Sequence, residues 1–266
     1  MKKFLFNILH FLGLPFVSFA LAIGILRLKG KAKKYQRMGE AFLPVDRYRI
    51  VYKLCKKLLY VKHIKVETQG FENIPKKPVL FIANHKSQID PIALIKILFE
   101  QEGLPYFSML SKIENKHSKI VKAAMDLIDT IYIDRGNLRQ QFEAFEEQNK
   151  VINAGRSVII FPEGTRTYQH EIAEMKPAAF KVAQKSYIPI VPIVIYGSSG
   201  LMDNNKQYRN KQKKVYIEVL DVVNHHSFIN TKEEYISEQI RSQIASRYEE
   251  MHKLSQENKP IFTKKY

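Results

Sequence analysis

Val79-Leu80-Phe81-Ile82-Ala83-Asn84-His85-Lys86-Ser87-Gln88-Ile89-Asp90-Pro91 opens as an uncharged apolar run and turns polar just before a helical period begins. A short apolar run bounded by a turn reads as a buried strand, and the residues after it sit where such a strand opens towards a helix. Outward from this stretch the same alternation recurs. Strands are predicted at Lys65–Thr68, Val79–Ile82, Tyr106–Leu110, Thr130–Ile133, Ser157–Phe161, Ile190–Ile195 and Val215–Leu220. Helices fit at Pro91–Phe99, Ser118–Ile128, Leu138–Asn153, Pro177–Lys185 and Lys232–Leu254. Apolar strands alternating with helices predict an α/β fold, a mostly parallel sheet covered by helices, over residues 64–266.

Two strand ends carry chemistry. After Val79–Ile82 comes His85, with Asp90 five residues later; the two are well off one face of a regular helix, but through a turn they can meet. Asp90 before Pro91 also reads as a helix N-cap, and Ser87 with Asp90 as a capping box. Taken alone, each of these residues reads more simply as structural. The second strand end, Ser157-Val158-Ile159-Ile160-Phe161, runs into Pro162-Glu163-Gly164-Thr165-Arg166, a loop that presents a carboxylate and a guanidinium together. Arginine suits a planar, bidentate grip on phosphate. A third strand ends in Asp134-Arg135-Gly136, so two arginines at strand ends can converge on one anion.

In these residues the chain resembles the glycerolipid acyltransferase family, and within it the bacterial 1-acylglycerol-3-phosphate acyltransferases. Four blocks match in order: Asn84, His85 and Asp90 of N-H-x-x-x-x-D, the strand ending in Arg135, Phe161-Pro162-Glu163-Gly164-Thr165-Arg166, and Ile188-Pro189-Ile190-Val191-Pro192-Ile193. The match covers residues 79–197. Two positions depart from the pattern. Asp129 stands where the family usually has glycine six residues before its arginine, and Lys176 is followed by Pro177-Ala178 where a glycine two residues on is common.

The resemblance implies an O-acyltransferase whose catalytic pair is His85 and Asp90, with His85 as general base on the acceptor hydroxyl and Asp90 fixing its tautomer. It implies a substrate-binding set of Asn84, Arg135, Glu163, Gly164, Thr165, Arg166 and Lys176. Arg135 and Arg166 would hold the acceptor phosphate, while Glu163 and Gly164 would shape the glycerol pocket. The implied acceptor is lysophosphatidic acid and the product phosphatidic acid; another lysophospholipid or glycerolipid is the alternative acceptor. Acyl-CoA or acyl-carrier protein is the implied co-substrate, and no cofactor or metal is expected. The remaining histidines lack metal-ligand spacing, and Cys55, the single cysteine, stands outside any motif.

Composition places this domain beside a membrane. Forty-three Lys and Arg against 26 Asp and Glu leave a formal charge of +17, so the surface seeks anionic partners. Lys2, Lys3, Arg27, Lys29, Lys31, Lys33 and Lys34 bracket an uncharged run, Phe4–Leu26, long enough to cross a bilayer core roughly 30 Å thick. Pro15, Gly13, Gly24, Asn7 and His10 argue equally for a kinked, re-entrant or in-plane anchor. A cleaved signal peptide is disfavoured, because the apolar run continues past Ser18 and Ala20.

Asp46–His63 predicts a basic amphipathic helix, its stripe of Ile50, Val51, Leu54, Cys55, Leu58 and Leu59 facing either the bilayer or the domain. Residues 1–63 are therefore read as membrane-anchoring helices, and the cytoplasmic face of the cell membrane, with its anionic phospholipid, as the location. A nucleic-acid module would fit the charge and the cluster Lys206, Arg209, Lys211, Lys213 and Lys214, but no zinc-finger or RRM-type motif accompanies it. That partner is not expected.

Overall fold

A computed structural model of the chain describes residues 2–167, 169–202 and 213–262, with side chains from Gly13 onward except that of Glu40. Seven strands form one sheet: β1 Lys65–Gln69, β2 Leu80–Ala83, β3 Phe107–Lys112, β4 Ile131–Ile133, β5 Ser157–Ile160, β6 Ile190–Tyr196 and β7 Lys214–Val219. Their order is β1-β7-β6-β2-β5-β3-β4. Five strands run parallel, while β7 is antiparallel to β6 and β1 parallel to β7, so these two point the other way. The carboxyl ends of β2, β3, β4, β5 and β6 thus open at one end of the sheet.

Alternation of side chains along the central strands builds two apolar layers. Phe81, Ala83, Ile159, Val191 and Ile193 enter one, and Leu80, Ile82, Val158, Ile160 and Val194 the other. The first layer is closed by α2 (Pro44–Val61), α3 (Ile89–Phe99) and α4 (Lys119–Leu127). The second is closed by α5 (Leu138–Asn153), α6 (Lys181–Lys185) and α7 (Glu233–Gln256). Pro177–Lys185, expected as one helix, divides into a 3-10 turn, Pro177–Ala179, and the short α6.

The N-terminal segment is a single helix, α1, Lys2–Met38, that passes through Pro15 without a break. Within Gly13–Met38 it is long and apolar enough to cross a membrane: an 18-residue stretch of it has mean hydropathy 1.4 and is 6% buried in the protein. It packs on α2 across glycine notches. A Cβ at Gly13 would lie 2.8 Å from the Tyr60 hydroxyl, and one at Gly24 2.6 Å from a Leu54 methyl, so a larger residue at either place would require that side chain to shift. Pairing Gly13 with Tyr60 and Gly24 with Leu54 also makes the two helices antiparallel.

The apolar stripe of α2 meets the domain rather than solvent: Val51, Cys55 and Leu59 are buried in the first layer. Arg49, Lys53 and Lys56 remain exposed, and Lys57 donates to the Ala20 carbonyl at 3.2 Å. Of the two sequence readings for this helix, the packed one is correct for its stripe, because only that face can complete the layer over β3 and α3.

Asp129 fastens these helices to the body. Its Oδ1 accepts from the Tyr35 hydroxyl of α1 at 2.5 Å and from Arg47 of α2 at 2.9 Å, and its Oδ2 pairs with Arg156 ahead of β5. Its backbone is left-handed, φ +51°. That conformation explains why glycine suits this place, and Asp tolerates it better than most residues. The basic cluster at 206–214 lies outside the described residues except Lys213 and Lys214, the latter starting β7 and pairing with Glu67 at 3.6 Å.

Candidate active site

The turn after β2 folds back so that its own acid reaches its own base. His85 Nδ1 donates to Asp90 Oδ2 at 2.9 Å, and the same oxygen accepts the amides of Lys86 at 2.7 Å and Ser87 at 2.8 Å. Asp90 lies in the first turn of α3, one residue inside Ile89, and is fully buried. It is therefore not an N-cap. Its carboxylate instead reaches back to two loop amides, as the acidic member of a capping box does, while also holding the imidazole. Donation from Nδ1 leaves Nε2 as the acceptor nitrogen of neutral His85. The ring stacks on Phe161, centroids 4.4 Å apart, and its side chain keeps 19% of its surface exposed.

The loop after β5 is tied to the same turn. Glu163, expected at the substrate, is buried, and its Oε1 accepts the His85 amide at 2.6 Å. Oε2 accepts from Thr167 Oγ1 at 2.8 Å and the Ala173 amide at 3.3 Å. Burial raises its carboxyl above the usual range, against the pull of these donors and of Lys86. Glu163 is thus a strut between the two strand ends. Asn84 needs a similar correction: it is fully buried, donates to the Ile195 carbonyl at 2.9 Å and accepts the Ile195 amide at 2.7 Å. With both amide ends on β6 it cannot bind substrate directly; it locks the turn in register.

Gly164, φ +76°, has no side chain of its own, and that leaves its face to its neighbours. A Cβ there would meet Arg135 Nη1 at 3.2 Å and Lys176 Cε at 3.2 Å, so two cationic side chains converge over this one glycine. Lys176 is held by its amide, which donates to the Pro162 carbonyl at 3.0 Å. Both Arg135 and Lys176 are exposed, as is Thr165, and Arg166 is half-buried two residues past Gly164. The cation brought beside Arg135 over the glycine is Lys176.

Sequence reasoning missed Lys86. It is 1% exposed, and its ammonium donates to Thr167 Oγ1 at 2.8 Å, the Gln169 carbonyl at 2.9 Å and the Glu171 carbonyl at 2.5 Å. Burial lowers its pKa, while Glu163, Asp90 and Glu171 oppose that shift. A lysine in a polar turn reads as solvated, and the carbonyls that hold it lie more than eighty residues away. Among the described residues no group of three or more His, Cys, Asp or Glu is arranged to hold a metal ion.

The acyltransferase family model matches residues 65–196. A protein of Mycoplasma pneumoniae named "Probable 1-acyl-sn-glycerol-3-phosphate acyltransferase" is 40% identical over 214 residues, 79% of this chain and 80% of its own length. One of the same name from Mycoplasma genitalium is 36% identical over 252 residues, 92% of this chain and 94% of its own. The fold matches the crystal structure of the 1-acyl-sn-glycerophosphate (LPA) acyltransferase PlsC from Thermotoga maritima, TM-score 0.64 and 21% identity, over 95% of this chain and 98% of that one. The chain belongs to the acyltransferase family, grouped by sequence with its 1-acyl-sn-glycerol-3-phosphate acyltransferases.

Proposed function

We propose that the chain transfers a fatty acyl group from a thioester donor, acyl-CoA or acyl-carrier protein, to the free 2-hydroxyl of lysophosphatidic acid, working at the cytoplasmic face of the cell membrane. One observation carries this reading. The His85–Asp90 pair is tied through Glu163 to the loop over which Arg135 and Lys176 converge, so a base and a dication share one rigid frame.

His85 acts as general base. An alcohol does not ionise near neutral pH, so Nε2 takes the hydroxyl proton while the oxygen attacks the thioester carbonyl. Asp90 holds the tautomer and stabilises the imidazolium that forms, as the carboxylate does in a serine protease triad. Collapse of the tetrahedral intermediate breaks the C–S bond, and the thiol leaves with the proton returned from His85. A thiol of pKa about 8.5 needs no stronger acid. Arg135 and Lys176, with Arg166 following Gly164 by two residues in the same loop, set the acceptor phosphate and thereby the distance of its hydroxyl from His85.

The test offers purified protein in detergent labelled acyl-CoA with lysophosphatidic acid, lysophosphatidylcholine or monoacylglycerol. Lysophosphatidic acid should be the preferred acceptor. Equal acylation of monoacylglycerol, which lacks the phosphate, would contradict the assignment.

A further inference from the structure

Strand direction fixes which surface lies beside the site. β3 and β4 run towards the end of the sheet that carries His85, so the helices that follow them, α4 and α5, begin at that end. Large apolar side chains stand exposed in these first turns: Ile120 at 46% and Val121 at 40% on α4, Leu138 at 83% and Phe142 at 64% on α5. Leu138 and Phe142 are four residues apart and share a helix face. Exposed Lys116, Lys119 and Arg139 stand among them, and the nearby Glu143 is paired to Arg139 at 3.0 Å.

The apolar helix α1 runs to the same end. Tyr48, early in α2, donates to the Phe107 carbonyl at the start of β3, so the carboxyl end of α2 lies at the His85 end. Tyr60 there meets Gly13 of α1, and the residues before Gly13 continue outward as helix. Phe16 and Phe19 are 77% and 69% exposed on this part of α1.

We propose that the first turns of α4 and α5 are a second lipid contact, seating Ile120, Val121, Leu138 and Phe142 in the interfacial layer of an anionic bilayer. α4 and α5 cover opposite faces of the sheet, so their tips can be covered together only by something broad that meets the sheet end-on. A bilayer is such a surface, it continues the contact that α1 begins, and its anionic headgroups match Lys116 and Lys119. The contact would set the end of the sheet bearing His85 against the layer where a lysolipid resides. It rests on the lipid-acceptor reading for its purpose, but its test involves no acyl transfer, so the two can fail separately.

The test places single cysteines at Val121, Leu138, Phe142 and, as control, Tyr187, in the full chain, and labels each with an environment-sensitive fluorophore. Tyr187 is 62% exposed but precedes β6, at the opposite end of the sheet. The native thiol, Cys55, is buried with its pKa pushed up to about 12, and stays unlabelled. Phosphatidylcholine vesicles carrying phosphatidylglycerol should shift emission to the blue at 121, 138 and 142 and leave 187 unchanged. Silence at 138 and 142, or an equal response at 187, overturns the proposal. A shift that needs only higher protein concentration, without vesicles, also overturns it, since a second copy would then be the occupant.

Discussion

A short chain of hydrogen bonds holds the site together: Asp90 to His85, His85 amide to Glu163, Glu163 to Thr167, Thr167 to Lys86. His85→Ala is expected to cut turnover at least about a hundredfold, the low end for losing a general base, with melting temperature nearly unchanged because the ring is at the surface of the site. Asp90→Asn should lower both turnover and melting temperature, since the same oxygen serves the imidazole and two loop amides. Loss of melting temperature alone would make Asp90 a structural cap and nothing more. Lys86→Met leaves three oxygens of residues 167–171 without their donor, so the loop should loosen. A rise in KM for the lysolipid with kcat largely kept is the expected signature, and a proportional loss in kcat alone would contradict a positioning role. For Arg135→Ala, a charged hydrogen bond worth roughly 1.5 to 3 kcal/mol predicts a ten- to hundredfold drop in kcat/KM for lysophosphatidic acid and little change for monoacylglycerol.

At the scale of elements, Asp129 shows how a departure from a family pattern can be functional in the fold. Asp129→Gly would relieve a left-handed backbone but leave Arg47, 4% exposed, without its anion. Breaking a buried ion pair costs about 3 to 5 kcal/mol, more than the roughly 1 kcal/mol that glycine recovers. The variant should therefore unfold at lower denaturant, and proteases should reach α1 first; equal stability would show that the clasp is idle. The sequence announced Asp129 only as an unusual residue, because its partners are at 35, 47 and 156 and no local pattern joins them. Strands were more legible. All seven predicted runs correspond to strands within two residues at each end, since buried runs between helical periods leave few alternatives. Direction was not legible: periodicity is blind to the reversal of β7 and β1, which follows from β7 returning beside β6. The site showed the same division. The meeting of His85 and Asp90 through a turn was readable from their spacing, whereas the burial of Asn84 and Glu163 on cross-strand partners was not, because such partners are properties of the assembled sheet.

Across the whole molecule, charge and direction point the same way. A chain of formal charge +17 carries an apolar α1 that starts at the end of the sheet where five strands present their carboxyl ends and packs along α2 as far as Asp129. The central claim is that His85 drives acylation of lysophosphatidic acid. It is tested most directly by the rate at which labelled acyl-CoA is converted to phosphatidic acid by the purified protein and by His85→Ala, both verified as folded. The account predicts phosphatidic acid from the first and at least about a hundredfold less from the second. Equal rates, or no phosphatidic acid from either while another acceptor is acylated, would contradict it.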